Sequence, residues 1–146
     1  MEESAITATN RIPITQWCHE ILKLYLPEQG IYVDATMGNG HDTLFLCRLA
    51  KRQGYVYAFD IQQTALEHTE KLLREHDIES GFSLILDSHV NMGKYLEPET
   101  ADGIVFNCGY LPGSDHSLAT RPKTTVAAIE AGLSLLKTGG VMSLCL

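Results

Sequence analysis

The sequence predicts an open α/β domain, with a parallel sheet covered by helices on both faces. Two observations carry that expectation. Five short, almost continuously apolar runs alternate with amphipathic stretches of helical period, the pattern of right-handed βαβ crossovers burying a parallel sheet on both sides. Four of those runs end in a polar residue, Asp34, Asp60, Asp87 and Asn107. A polar residue at one strand end is ordinary turn chemistry. Four in succession, on the edge where open α/β sheets take their ligands, point to a site.

Each element has its own signal. Residues 14–26 read as a helix with Ile14, Trp17, Ile21 and Leu24 on one face and Pro13 in its first turn. Pro27 and Gly30 end it. Residues 31–33 form the first strand, closed by Asp34, and a glycine-bearing turn follows at 37–40. The next helix covers 42–52, with Phe45, Leu46, Leu49 and Ala50 inward, and residues 55–59 are aromatic and β-branched, hence a strand. Residues 63–76 turn Ala65, Thr69, Leu72 and Leu73 inward. Strands follow at 82–86 and 103–106. A helix over 120–136, opened by Thr120 and Pro122, buries Val126, Ile129, Leu133 and Leu136. Gly139 and Gly140 stop it, and 141–146 is the last strand.

Composition narrows the class. The chain has 146 residues, 45% of them hydrophobic and 20% charged, which suits one globular domain over 1–146. Its net charge of −7 excludes a uniformly basic nucleic-acid binder, although not a local basic face. The acidic, polar N-terminal stretch reads as neither a signal nor a transit peptide, and no apolar run is long enough to span a bilayer. Cys18, Cys47, Cys108 and Cys145 are scattered without a C-x-x-C pair, so a metal site is not expected and a cytoplasmic location with reduced thiols is.

The first turn, from Asp34 to Thr43, reads DATMGNGHDT. Gly38 and Gly40 clear the way for a ligand to approach the backbone, and the helix start behind them offers unpaired N–H groups. Alone, G-x-G is a weak signal. Here a strand precedes it, a helix follows, and Asp60 ends the next strand, where a carboxylate can accept both ribose hydroxyls of a nucleoside. A nicotinamide dinucleotide fingerprint would need a third glycine where Thr43 stands, and Asp34 would repel a pyrophosphate. Asp34 suits a ligand carrying an ammonium or sulfonium group, and S-adenosylmethionine (SAM) carries both.

Asp-x-x-x-Gly-x-Gly followed by Asp60 resembles motifs I and II of class I SAM-dependent methyltransferases. Asn107-Cys108-Gly109-Tyr110-Leu111-Pro112 resembles the Asn/Asp-Pro-Pro-Tyr motif of enzymes that methylate nitrogen. In such a motif the Asn oxygen and a backbone carbonyl accept hydrogen bonds from an amine, while the aromatic ring stacks on a planar base. The competing reading makes Gly109 and Pro112 a simple turn and Tyr110 a core residue. With AFDIQ at 58–62, DSH at 87–89 and TTVAAIEAGLSLLKTGG at 124–140, the chain from about Trp17 onward resembles the small bacterial SAM-dependent enzymes formerly described as rRNA methylases. That family is associated with methylation of 5-aminomethyl-2-thiouridine in tRNA.

The resemblance implies a Rossmann-like methyltransferase core, with an N-terminal helix at about 13–26 and the core at 31–146. It implies SAM contacts from Asp34, Gly38, Asn39, Gly40 and Asp42, ribose and adenosine contacts from Asp60 and Gln62, and an adenine region at Ser88 and His89. Asn107, Gly109 and Tyr110 would face the target amine of a transiently bound tRNA. The seven-stranded core of the class exceeds the five runs here, so the chain is expected to lack the last helix and antiparallel hairpin. Its apolar final strand then forms an edge that a homodimer could cover.

Other readings stay open. The target could be an rRNA base or a small amine, or the chain could be a non-catalytic nucleoside-binding module. His19, His68 and His76 are expected to be solvated on helix surfaces, and His41 to open a helix beside the turn. Asp115 and His116 read equally as proton acceptors or as a polar loop. Arg48, Lys51 and Arg52 read as ordinary helix-end cations, and Arg121 and Lys123 equally as loop or RNA contacts.

Overall fold

The computed structural model describes residues 13–107 and 122–145. Pro13, at φ −58°, opens helix α1 (Ile14–Tyr25), and its carbonyl accepts the N–H groups of Gln16 and Trp17 at 3.0 and 3.1 Å. A short loop leads to strand β1 (Ile31–Asp34). Tyr32 is fully buried, yet its hydroxyl donates to the Pro27 carbonyl and accepts the Gly30 N–H, so burial leaves no polar atom of this ring stranded. Helix α2 (His41–Ala50), strand β2 (Tyr55–Asp60), helix α3 (Gln63–Glu75) and strand β3 (Phe82–Leu86) follow. A 3₁₀ turn at His89–Lys94 leads toward strand β4 (Ala101–Asn107). Helix α4 (Pro122–Leu135) and strand β5 (Leu136–Cys145) complete the described chain.

The five strands form one sheet in the order β3-β2-β1-β4-β5, and every neighbouring pair is parallel. Alternate residues of each strand feed two cores. Tyr32, Val56 and Val105 pack with Leu22, Leu46, Cys47 and Leu73 from α1, α2 and α3 on one face. On the other, Val33, Phe59, Ile104 and Phe106 pack with Met92, Ala128 and Leu135. This is the Rossmann-like arrangement expected from the alternating pattern.

Three details depart from the sequence reading. The apolar stripe of α1 faces outward, with Ile14, Trp17, Ile21 and Leu24 all exposed; Leu22 is the buried anchor, and Leu26 beyond the helix end is buried too. The footing of α1 on β5 and α2 is narrower than a full amphipathic face. In α4, Val126 and Leu133 are exposed, while Ala128 and Leu135 are buried. A Cβ at Gly132 would lie 2.8 Å from Met142 Cε, so small residues let this helix sit close on the sheet. Finally, β5 starts at Leu136, ahead of the two glycines. Its ladder on β4 pairs Ala101 with Leu136, breaks at an irregularity, and resumes at Gly103 with Val141.

Candidate functional site

The chain runs outward through β1, β2 and β3, then crosses back to place β4 on the far side of β1. That reversal puts the topological switch point between β1 and β4, and the crevice beyond the carboxyl ends of the strands at such a point is where open α/β sheets bind ligands.

Asp34 ends β1 with its side chain fully buried. One oxygen accepts the Thr36 N–H at 3.1 Å and the other the Thr43 hydroxyl at 2.6 Å. Burial pushes this carboxyl up to about 8, reinforced by the charge of Asp42 and more weakly of Asp60, and opposed by those two hydrogen bonds. Asp34 therefore ties the start of the turn to the first residues of α2. Asp60, half-buried, braces the turn from the neighbouring strand, accepting the Gly38 N–H at 3.0 Å and the Gln62 N–H at 2.9 Å. Each carboxylate oxygen keeps a lone pair beyond the bond it makes here.

The two glycines differ in purpose. At Gly40, φ is +90° and a Cβ would stand 2.8 Å from Thr69 Oγ1 and 2.9 Å from Thr69 Cα, so α3 packs directly against the turn. At Gly38, φ is +55° and the nearest atom to a Cβ is 3.8 Å away. Gly38 thus leaves an open approach to the backbone, with Asn39 exposed beside it.

Thr36 links the turn to β4: its hydroxyl accepts the Asn107 N–H at 2.6 Å. Ser88 is half-buried and caps the 3₁₀ turn by accepting the Val90 N–H at 3.2 Å. His89 is buried against Phe106, with ring centroids 5.7 Å apart. Burial lowers its basicity despite a hydrogen bond to the Ala35 backbone. Asp87 spends its carboxylate on Ser88, Asn91 and Tyr95, and those bonds hold it below the usual carboxylate range.

His19 is not solvated as its helical position suggests. Its ring stacks on Phe45 at 4.2 Å, and Nε2 lies 2.6 Å from Asp42 Oδ1. Because the apolar stripe of α1 faces outward, the opposite side, carrying Cys18, His19 and Leu22, packs inward. Asp42 in turn points to α1 and lines a narrow slot beside Asn107. Burial, with Cys145 nearby, raises the Cys18 thiol. Gly109 and Tyr110 lie outside the described residues, as do Cys108, Asp115, His116 and Arg121. Sequence reasoning missed Thr36, Thr43 and His19; the Asp-x-Thr spacing at 34–36 was the available signal for the first.

Comparison with known proteins defines the family. A family model described as "Putative rRNA methylase" matches residues 56–146. The chain belongs to the rRNA methylase family. Among solved structures, a protein of this kind from Clostridium thermocellum is 40% identical, with a TM-score of 0.84, over 90% of this chain and 70% of that one. A Streptococcus mutans methyltransferase solved in complex with SAH is 41% identical, with a TM-score of 0.79, over 92% of this chain and 72% of that one. The chloroplastic tRNA (mnm(5)s(2)U34)-methyltransferase of Arabidopsis thaliana is 36% identical across 89% of this chain. The chain spans about half the length, 51%, of that curated relative. Among the described residues, no helix is long and apolar enough to cross a membrane.

Proposed function

We propose that this member of the rRNA methylase family is a SAM-dependent N-methyltransferase. Its substrate is the aminomethyl group of 5-aminomethyl-2-thiouridine at the wobble position of tRNA, and its compartment is the cytoplasm. The observation that carries the reading is the cross-bracing of three strand ends, in which Asp60 holds Gly38 and Thr36 holds Asn107. One brace shapes a nucleoside site and the other fixes the residue that would meet the amine. SAM, when bound, supplies an electrophilic methyl group on a sulfonium. The residues present fit it: Gly38 leaves room at the backbone, Asp60 keeps lone pairs for ribose hydroxyls, and buried Asp34 holds the turn in shape through Thr36 and Thr43.

Within this reading Gly38, Asn39 and Gly40 hold the methionine end, with Asp34 setting the turn from behind. Asp60 and Gln62 take the ribose and adenosine side, and Ser88 and His89 border the adenine region. Asn107 accepts an N–H from the target amine and so aims its lone pair. Gly109 and Tyr110 are assigned to the same face by their motif. The 36% identity to the tRNA enzyme supports the wobble uridine as target.

Two experiments test this reading. Calorimetry should give at least a tenfold weaker SAM affinity for Asp60→Ala, since charge-assisted hydrogen bonds are worth about 1.5–3 kcal/mol. Equal affinities would remove Asp60 from the site. Mass spectrometry of tRNA nucleosides from a strain lacking the protein should show the unmethylated aminomethyl nucleoside accumulating. An unchanged nucleoside profile would overturn the substrate.

A further inference from the structure

Two thiols meet at the edge of the site. Cys18 of α1 and Cys145 at the end of β5 line the same narrow slot, which also borders Asp42 and Asn107 and is too small for more than about one water. The Cys18 thiol is hydrogen-bonded to Cys145. Both residues are half-buried, and both are free thiols. In the β4–β5 ladder, Cys145 is the partner of Asn107. Residues far apart in the chain thus bring two sulfurs together beside the residue assigned to the amine.

We propose that Cys18 and Cys145 are a peroxide-sensitive thiol pair that closes reversibly into a disulfide between α1 and β5, and that closure slows methyl transfer. The disulfide stands on the placement of the two thiols, and its effect on turnover rests on the N-methyltransferase reading.

In the oxidation, the Cys145 thiolate attacks one oxygen of hydrogen peroxide. An S–O bond forms, the O–O bond breaks, and the departing hydroxide takes up a proton and leaves as water. The Cys18 thiolate then attacks the sulfur of the resulting sulfenic acid. The S–S bond forms, the S–O bond breaks and a second water leaves, so the two electrons lost by the thiols reduce the peroxide. Burial above all, with Cys145 and Asp42 adding to it, raises the Cys18 thiol, which leaves Cys145 to react first. Cys18 then needs only a small thiolate fraction, because its target sulfur is held beside it. Cys47 is the internal contrast. It is buried, and burial with the Asp34 charge pushes it up to about 12, so it stays a thiol. A covalent S–S bond is shorter than the contact it replaces, so closure draws α1 toward the strand that carries the ladder partner of Asn107. In a reducing compartment such a bond is transient, as a response to oxidant requires.

The test treats the full chain with a small excess of hydrogen peroxide, blocks the remaining thiols with iodoacetamide after denaturation, and maps the peptides by mass spectrometry. A linked Cys18–Cys145 peptide is expected, lost on treatment with dithiothreitol and missing from Cys18→Ser, with Cys47 carrying the blocking group. Turnover on aminomethyl tRNA should fall by about tenfold on oxidation, since small displacements of reacting groups cost at least that much. It should return on reduction and stay unchanged in peroxide-treated Cys18→Ser. Linkage of either cysteine to Cys108 instead, or oxidation to sulfinic acid without a linked peptide, would overturn the pair. An equal fall in peroxide-treated Cys18→Ser, or an unchanged turnover in linked wild type, would overturn its control of methyl transfer. A protein inactive before oxidation would count against the N-methyltransferase reading, and the peptide map would still decide the disulfide.

Discussion

Burying Asp34 should make the ligand-free protein less stable as pH rises, and Asp34→Asn should abolish that dependence. In the folded chain this carboxyl titrates at about 8, chiefly because it is buried. In the unfolded chain it titrates near the ordinary value of about 3.9. Below about pH 4 both states hold the proton and there is no penalty. Between the two values only the folded chain holds it, so stability falls as pH rises, by up to about 1.4 kcal/mol per pH unit. By pH 7 the single-site limit is about 4 kcal/mol. Asp42 and Asp60 share the local field, so a working range is about 2–4 kcal/mol. An asparagine does not titrate. Its oxygen accepts the Thr36 N–H, and its amide donates to Thr43 Oγ1 in place of the present bond. Urea unfolding of both proteins at pH 5, 6, 7 and 8 reads the effect. Asp34→Asn should be the more stable at pH 7, with the gap closing as pH falls toward 4. Parallel stability curves for the two proteins would refute the argument.

Two further substitutions separate packing from access and support from contact. Gly40→Ala places a methyl 2.9 Å from the Thr69 backbone at φ +90°, so it should lose about 2–4 kcal/mol in denaturant melts. Gly38→Ala, at φ +55° with open space around it, should lose only about 1–2 kcal/mol while weakening SAM binding in calorimetry. Equal destabilisation would show that both glycines serve packing alone. Thr36→Val removes the acceptor of the Asn107 N–H and should lower kcat on aminomethyl tRNA while SAM affinity changes less than twofold. An unchanged kcat would show that Asn107 needs no such support.

The sheet was legible because parallel strands are buried on both faces, and a run such as Tyr55–Asp60 has few other ways to satisfy its apolar residues. The strand-end acids were legible for a related reason: each falls where the backbone leaves the ladder. What their side chains do was not. Asp34 and Asp60 look alike in the sequence, yet one is sealed beneath the turn and the other faces the crevice. That difference comes from Thr43 and Gly38, residues brought in by tertiary packing. Helical periodicity misled for the same reason. In α1 the apolar stripe holding Trp17 and Leu24 is exposed, and the more polar side of Thr15, Cys18 and His19 meets the sheet. Apolar residues at helical spacing identify an amphipathic helix, but they do not specify which surface a helix at the sheet edge presents to its neighbours. Here the inward polar side matters more, because it brings an imidazole onto Asp42 in the first turn of α2. An arrangement spanning 23 residues between His19 and Asp42, and a further strand crossover to Asn107, leaves no local signature. The outward apolar stripe of α1 and the inward His19 are thus one fact: packing this helix with its polar side inward is what seats the imidazole between Phe45 and Asp42 at the start of α2.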